Sequence, residues 1–269
     1  MTAALARDLD TAPIAPARPI PVSRLADIPL PCWVQAKHDG VLIRIDAEGI
    51  ITTRKGAPLQ CEMLTRRIAS LDLRRIDCEL QADGGFADTL RLLKTGRGPF
   101  TLWGLDRIAD PRAPRYAAAA DRLAALPPPR FGALHAGAAT RYRPTQSHWV
   151  TTRRQLQRLT HQLHVEYGER IDGIVARNGT APYGVDIWKW KPRRDAEARL
   201  IEIMPGARNF TLIARWNGER IRIQASEADT AALAPLQPGD LITFTYLSTH
   251  ASGQPREARF LRSREGDPS

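Results

Sequence analysis

The sequence predicts an α+β chain of two domains: a strand-rich domain of antiparallel sheets and a few helices, then an all-β closed barrel. Three observations carry this. Apolar residues alternate with a period of two in Val41, Ile43, Ile45 and in Ile76, Cys78, Leu80, the spacing of half-buried strands. Two stretches between strand regions carry helical patterns. Beyond Pro192 the character changes to short strands.

Residues 1–28 hold several prolines, with Asp8 and Asp10 but no apolar run of a secretory signal, and are expected to form a flexible tail. Ala47-Glu48-Gly49 separates two apolar runs at hairpin spacing, so a hairpin is expected over 41–54. The alanine-rich stretch from Arg115 to Leu126 reads as a helix stopped by Pro127-Pro128-Pro129. A second helix is expected from Thr152 to Tyr167, where Leu156, Leu159 and Leu163 share one face. Strands follow at Leu200–Met204, Thr211–Trp216, Arg220–Gln224, Leu241–Tyr246 and Arg259–Arg262, with Asn217-Gly218 as a hairpin turn. This spacing suggests a closed barrel of about five strands. The domain change is expected near 193–198, giving domains of 29–196 and 197–269.

The 269 residues suffice for two separate cores, and no apolar run approaches a membrane span. Cys32, Cys61 and Cys78 show no metal or disulfide spacing, which fits a reducing cytoplasm. A formal charge of +10 makes the surface attractive to polyanions, nucleic acid among them. A monomer with no membrane partner is expected.

Lys37-His38-Asp39-Gly40 lies between two apolar strand segments. Alone it reads as a turn with an exposed lysine. It is followed by Thr53-Arg54, Ile76-Asp77-Cys78-Glu79-Leu80, Leu102-Trp103-Gly104-Leu105, Asp172-Gly173-Ile174-Val175 and Trp188-Lys189-Trp190-Lys191-Pro192. In order and spacing this series resembles motifs I, III, IIIa, IV and V of the covalent nucleotidyltransferases, with an Arg step after motif I. The family comprises ATP-dependent DNA ligases, RNA ligases and capping enzymes, and the minimal bacterial and phage DNA ligases are the most similar.

The resemblance implies an adenylation domain followed by an OB-fold domain, ATP and Mg2+ or Mn2+ as cofactors, and nicked duplex DNA as partner. By it, Lys37 is the nucleophile that accepts AMP. Lys189 and Lys191 assist: cations near a lysine favour its neutral form, and they offset phosphate charge. Gln35 reads the adenine edge, and Trp103 and Val175 sandwich the base. Asp39, Gly40, Arg44, Arg54 and Glu79 contact the nucleotide, and Glu79 and Asp172 face the metal. Arg54, Arg91, Lys94 and Arg97 contact DNA, the last three from a basic loop.

The pattern has departures. Leu42 stands where the family has an arginine, and Arg44, on the same strand face, is the candidate substitute, with Arg44→Ala expected to leave folding intact. Cys78 replaces a glycine, Gly104 an aspartate, and Asp172 is a shortened acid. The usual motif VI is absent, with Arg262 and Arg264 unassigned. RNA joining, capping-type transfer and a nick-binding protein without chemistry remain open alternatives.

Overall fold

The computed structural model describes residues 17–108, 118–132, 138–250 and 252–264. Residues 1–16, and the first residues of the helix expected from Arg115, lie outside the described residues. The chain divides into two compact units meeting between Trp190 and Lys191.

In the first unit the chain runs through β1 (Ile20–Pro21), β2 (Cys32–His38), β3 (Val41–Ile45), β4 (Ile51–Thr53), α1 (Glu62–Ala69) and β5 (Ile76–Ala82). Then come α2 (Phe86–Thr95), β6 (Phe100–Arg107), α3 (Ala119–Ala124), β7 (Arg130–Phe131), β8 (Thr140–Pro144), β9 (Ser147–Val150), α4 (Arg153–Tyr167), β10 (Ile171–Arg177) and β11 (Ile187–Trp190). The strands form two sheets, ordered β1-β11-β10-β2-β9 and β4-β3-β5-β6-β8-β7.

Each sheet buries one set of alternate residues. Val41 and Ile45 mark the ends of β3, which pairs with β4 as the expected hairpin, Ile45 opposite Ile51. Ile43, Ile45, Ile76, Cys78 and Leu80 enter one core with Leu64 and Ile68 of α1 and Leu92 of α2. Cys32, Val34, Ala36, Ile174 and Ala176 enter another, closed by Leu156 and Leu163 of α4. That helix begins with a capping box: the Thr152 hydroxyl accepts from the Gln155 backbone N–H at 3.2 Å, and the Gln155 side-chain Oε1 accepts from the Thr152 N–H at 3.1 Å.

Three expectations need correction. Residues 17–28 are not a tail: β1 pairs in parallel with Trp188 and Lys189 of β11, and Ile28 is fully buried. The basic loop is largely α2, with Arg91 and Lys94 on its exposed side and Arg97 just beyond. The boundary falls before 193 because the first barrel strand already pairs at Arg194, opposite Tyr246.

The second unit comprises β12 (Arg194–Pro205), β13 (Asn209–Trp216), β14 (Glu219–Ser226), α5 (Thr230–Leu233), β15 (Leu241–Tyr246) and β16 (Arg259–Ser263). The strands close into a barrel, β12-β13-β14-β16-β15. Asn217 and Gly218, both at positive φ, turn β13 into β14. A 3-10 turn at Glu227–Asp229 and α5 interrupt the all-β pattern, with Leu233 buried in the barrel core. No described helix is long and apolar enough to cross a membrane.

Candidate active site

The side chains left over by the two cores of the first unit face each other between its sheets. On β2 these are Trp33, Gln35 and Lys37, because Cys32, Val34 and Ala36 are committed to the core. On β5 they are Asp77, Glu79 and Gln81, because Ile76, Cys78 and Leu80 point the other way. Polar bonds tie the two sheets across this gap. Gln35 Nε2 donates to the Leu105 carbonyl at 3.2 Å, and the Gly40 N–H donates to Glu79 Oε1 at 3.1 Å.

Lys37 Nζ lies 2.9 Å from Asp172 Oδ1. A β-bulge makes this possible. In the pairing of β10 with β2, Ile171 faces His38 and Gly173 faces Lys37, so Asp172 is the extra residue and turns toward the lysine instead of the core. Gly40 owes its identity to close approach: a Cβ there would stand 2.2 Å from the Leu80 carbonyl oxygen and 2.9 Å from Glu79 Cγ. A side chain at 40 would therefore displace the carboxylate that sits beside the lysine.

Burial pushes the Glu79 carboxyl up to about 7; Lys37 and the Gly40 N–H oppose this, while the Asp172 and Asp39 charges reinforce it. A carboxyl whose folded value is raised favours the native state fully below its ordinary 4.5, and that contribution is lost as pH rises through about 7. Glu79→Gln should therefore gain stability relative to the parent between pH 5 and pH 8. Urea midpoints of both proteins at the two pH values check this, and a difference independent of pH would mean that Glu79 is solvated.

His38 is 1% exposed and stacks on Trp103, with ring centroids 4.0 Å apart and planes 6° from parallel. Burial, with help from Lys37 and Arg170, pushes its imidazole down to about 3, so the ring is neutral. His38 occupies one face of the indole, its Nε1 donates to Gln81 Oε1 at 3.0 Å, and 8% of the residue is exposed.

The expectation for Arg44 needs correction. It is 8% exposed and makes a two-pronged bond to Asp77, at 2.8 and 3.1 Å, its direct neighbour across β3 and β5. The Tyr183 hydroxyl bonds to both partners. The guanidinium is thus spent on a buried ion pair and is not free for a sugar. A second buried pair, missed in the sequence, lies alongside: Arg122 Nε meets Asp106 Oδ1 at 2.9 Å, with Arg177 at 3.8 Å from the same carboxylate.

Asp106 lies two residues after Gly104 on β6. A Cβ on Gly104 would lie 2.4 Å from the Tyr142 hydroxyl, so no side chain fits there. A bulge between the Asp77 and Cys78 pairings then brings Asp106 opposite Asp77.

The remaining candidates separate as follows. Val175 pairs with both Gln35 and Lys189, which sets these three side by side on the sheet that carries Lys37. Gln35 is 1% exposed, its amide N–H groups bonded to the protein and its Oε1 without a hydrogen-bond partner among the described residues. Asp39 follows Lys37 and His38, its N–H donating to the Arg170 carbonyl at 3.0 Å. Arg54, Arg91, Lys94 and Arg97 are exposed, Arg54 reaching the Ala17 carbonyl and Arg91 paired with Asp88 at 2.6 Å. Lys191 opens the second unit, where it meets Glu257 at 3.0 Å; Arg264 in the same unit meets Glu197 at 2.7 Å.

Among the described residues no group of three or more His, Cys, Asp or Glu side chains could hold a metal ion. Glu79 and Asp172 supply hard oxygen donors, and two carboxylates beside substrate phosphates are a usual Mg2+ set.

No protein-family model and no curated protein matches the chain in sequence. Solved structures do match. A Lig E DNA ligase, described as binding DNA with a minimal scaffold, superposes with a TM-score of 0.67 at 19% identity, over 92% of this chain and 99% of that one. The DNA ligase-adenylate of Chlorella virus superposes with a TM-score of 0.56 at 18% identity, over 96% and 100%. The chain shares the fold of these DNA ligases, as its ordered motifs led one to expect.

Proposed function

We propose that the chain is an ATP-dependent polynucleotide ligase that seals nicks in duplex DNA through a lysyl-AMP intermediate. The observation that carries this is the cluster of Lys37, Asp172 and Glu79 at the gap between the sheets, with Lys37 Nζ 2.9 Å from Asp172. One amine beside two carboxylates, one of them raised to about 7, is a set suited to phosphoryl chemistry.

In this reading the Lys37 amine attacks the α-phosphorus of ATP; a phosphorus–nitrogen bond forms, and the bond to pyrophosphate breaks. The 5′-phosphate at a nick then takes the AMP from the lysine. Finally the 3′-hydroxyl attacks that phosphate, closing the strand and releasing AMP. Glu79 and Asp172 would hold a divalent cation, whose chemistry when bound is to offset charge on the phosphates. Asp172 also holds the lysine in place, and Lys189, on the same sheet, contributes positive charge toward the triphosphate. Gln35, with an unpartnered amide oxygen, can accept from an amino group on the base.

The test is incubation with α-labelled ATP and Mg2+, followed by denaturing electrophoresis. Label that stays with the protein supports the reading, and absence of label under Mg2+ and Mn2+ ends it. Labelling by GTP instead would turn it toward capping-type transfer, and sealing of nicked RNA in place of nicked DNA toward RNA joining.

The charge of +10 adds an expectation for the substrate. Affinity for a nicked duplex should fall between 50 and 200 mM salt by roughly a thousandfold if about six phosphates are neutralised. Fluorescence anisotropy over that range checks this, and a flat double-logarithmic plot would mean that the basic surface does not face the DNA.

A further inference from the structure

Gln81 has no place in the chemistry above, yet its amide is fully engaged at the junction of three segments. It is 4% exposed. Nε2 donates to the Arg170 carbonyl at 2.7 Å and to the Asp39 carbonyl at 3.2 Å, while Oε1 accepts from Trp103 Nε1 at 3.0 Å. Asp39 lies two residues after Lys37, and Arg170 two residues before Asp172. Trp103 in turn stacks on His38, the residue next to the lysine. One side chain on β5 thus grips the strand ends that carry both members of the Lys37–Asp172 pair.

We propose that Gln81 is a positioning residue: its amide clamps the carbonyls of Asp39 and Arg170 and so sets Lys37 against Asp172. The inference deepens the ligase reading and rests on it for its consequence in lysyl-AMP formation. Its geometric content stands apart from that reading. A glutamine suits the task because it offers two donors to two carbonyls and one acceptor to the indole, with no charge to bury. Methionine has nearly the same shape and neither donor. Glutamate keeps an acceptor for Trp103 but turns a carboxylate toward two carbonyls.

The experiment uses the full chain and two variants, Gln81→Met and Gln81→Glu, each checked for a cooperative thermal transition. The first measurement needs no activity. The rate at which an acetylating reagent modifies Lys37 is followed by mass spectrometry, with exposed Lys55 and Lys94 as internal references. An amine engaged with a carboxylate is shielded from the reagent, so loss of the clamp should raise Lys37 modification severalfold while the references do not change. The second measurement is single-turnover lysyl-AMP formation, expected to fall about tenfold or more, since small misplacements of a reacting group are costly. Sealing of a nick that already carries 5′-AMP should change much less, because the lysine attack is then already past.

General loss of stability would slow both reactions alike and would raise modification at every lysine. Unchanged Lys37 modification in Gln81→Met overturns the proposal, as does a Gln81→Glu protein that behaves like the parent. If the parent itself takes up no AMP, the ligase reading fails, and the acetylation result still decides whether Gln81 sets the lysine.

Discussion

Lys37→Ala should lose transfer of labelled AMP to the protein altogether, a fall on the order of a thousandfold or more, as removal of a nucleophile does elsewhere. The variant should still seal part of a nick that already carries 5′-AMP, because the lysine acts only before that intermediate. Removing Lys37 takes away the charge that lowers the Glu79 carboxyl, so Glu79 holds its proton to higher pH. The check is a gel-based adenylation assay beside a sealing assay on pre-adenylated DNA. Parent-level protein-AMP in the variant would remove Lys37 from the nucleophile's role, and loss of both reactions together with the thermal transition would point to misfolding instead.

Arg44→Ala should be severely destabilising, contrary to what its place opposite Ile43 and Ile45 suggested. Truncation strands the Asp77 carboxylate in a site where it is 4% exposed, with the Tyr183 hydroxyl left as its side-chain donor among the described residues. Breaking a buried pair by removing one partner costs about 3–5 kcal/mol. The loss should appear as a lower urea midpoint with an unchanged slope. Combining Arg44→Met with Asp77→Leu should recover part of it, because neither partner then leaves the other's charge buried and unpaired. A single variant as stable as the parent would show that the pair contributes nothing, and would reopen Arg44 as a nucleotide contact.

How much of this was visible in the sequence depended on how local the cause was. The helix at Arg153–Tyr167 could be read to within a residue because Leu156, Leu159 and Leu163 recur on one face. Helices α1 and α2 escaped notice because Cys61 and Gly85, which precede them, cap nothing with their side chains. The alternation of Ile76, Cys78 and Leu80 implies that Asp77, Glu79 and Gln81 share the other face, and motif order brought Lys37 and Asp172 into the same account. What alternation cannot give is a bulge. Asp172 and Asp106 both owe their positions to one extra residue in a strand, and counting by twos sends each to the wrong side. The ion partner of Arg44 was equally hidden, because it is set by the register of β3 against β5, which brings Asp77 opposite it.

The short strand β1 has a practical bearing on where the protein can be cut. Ile20 and Pro21 lie against Trp188 and Lys189, the Val22 N–H donates to the Lys189 carbonyl at 3.0 Å, and Ile28 fills the core beneath. A chain trimmed to begin at residue 29, where sequence reading would start the folded domain, loses this cover. The bared edge of β11 then presents unpaired backbone groups, the kind of surface on which neighbouring chains add strands. Anyone preparing the protein should therefore place tags and protease sites upstream of residue 17, and should treat clumping of a shorter version as a consequence of the missing edge strand, not as a property of the intact molecule.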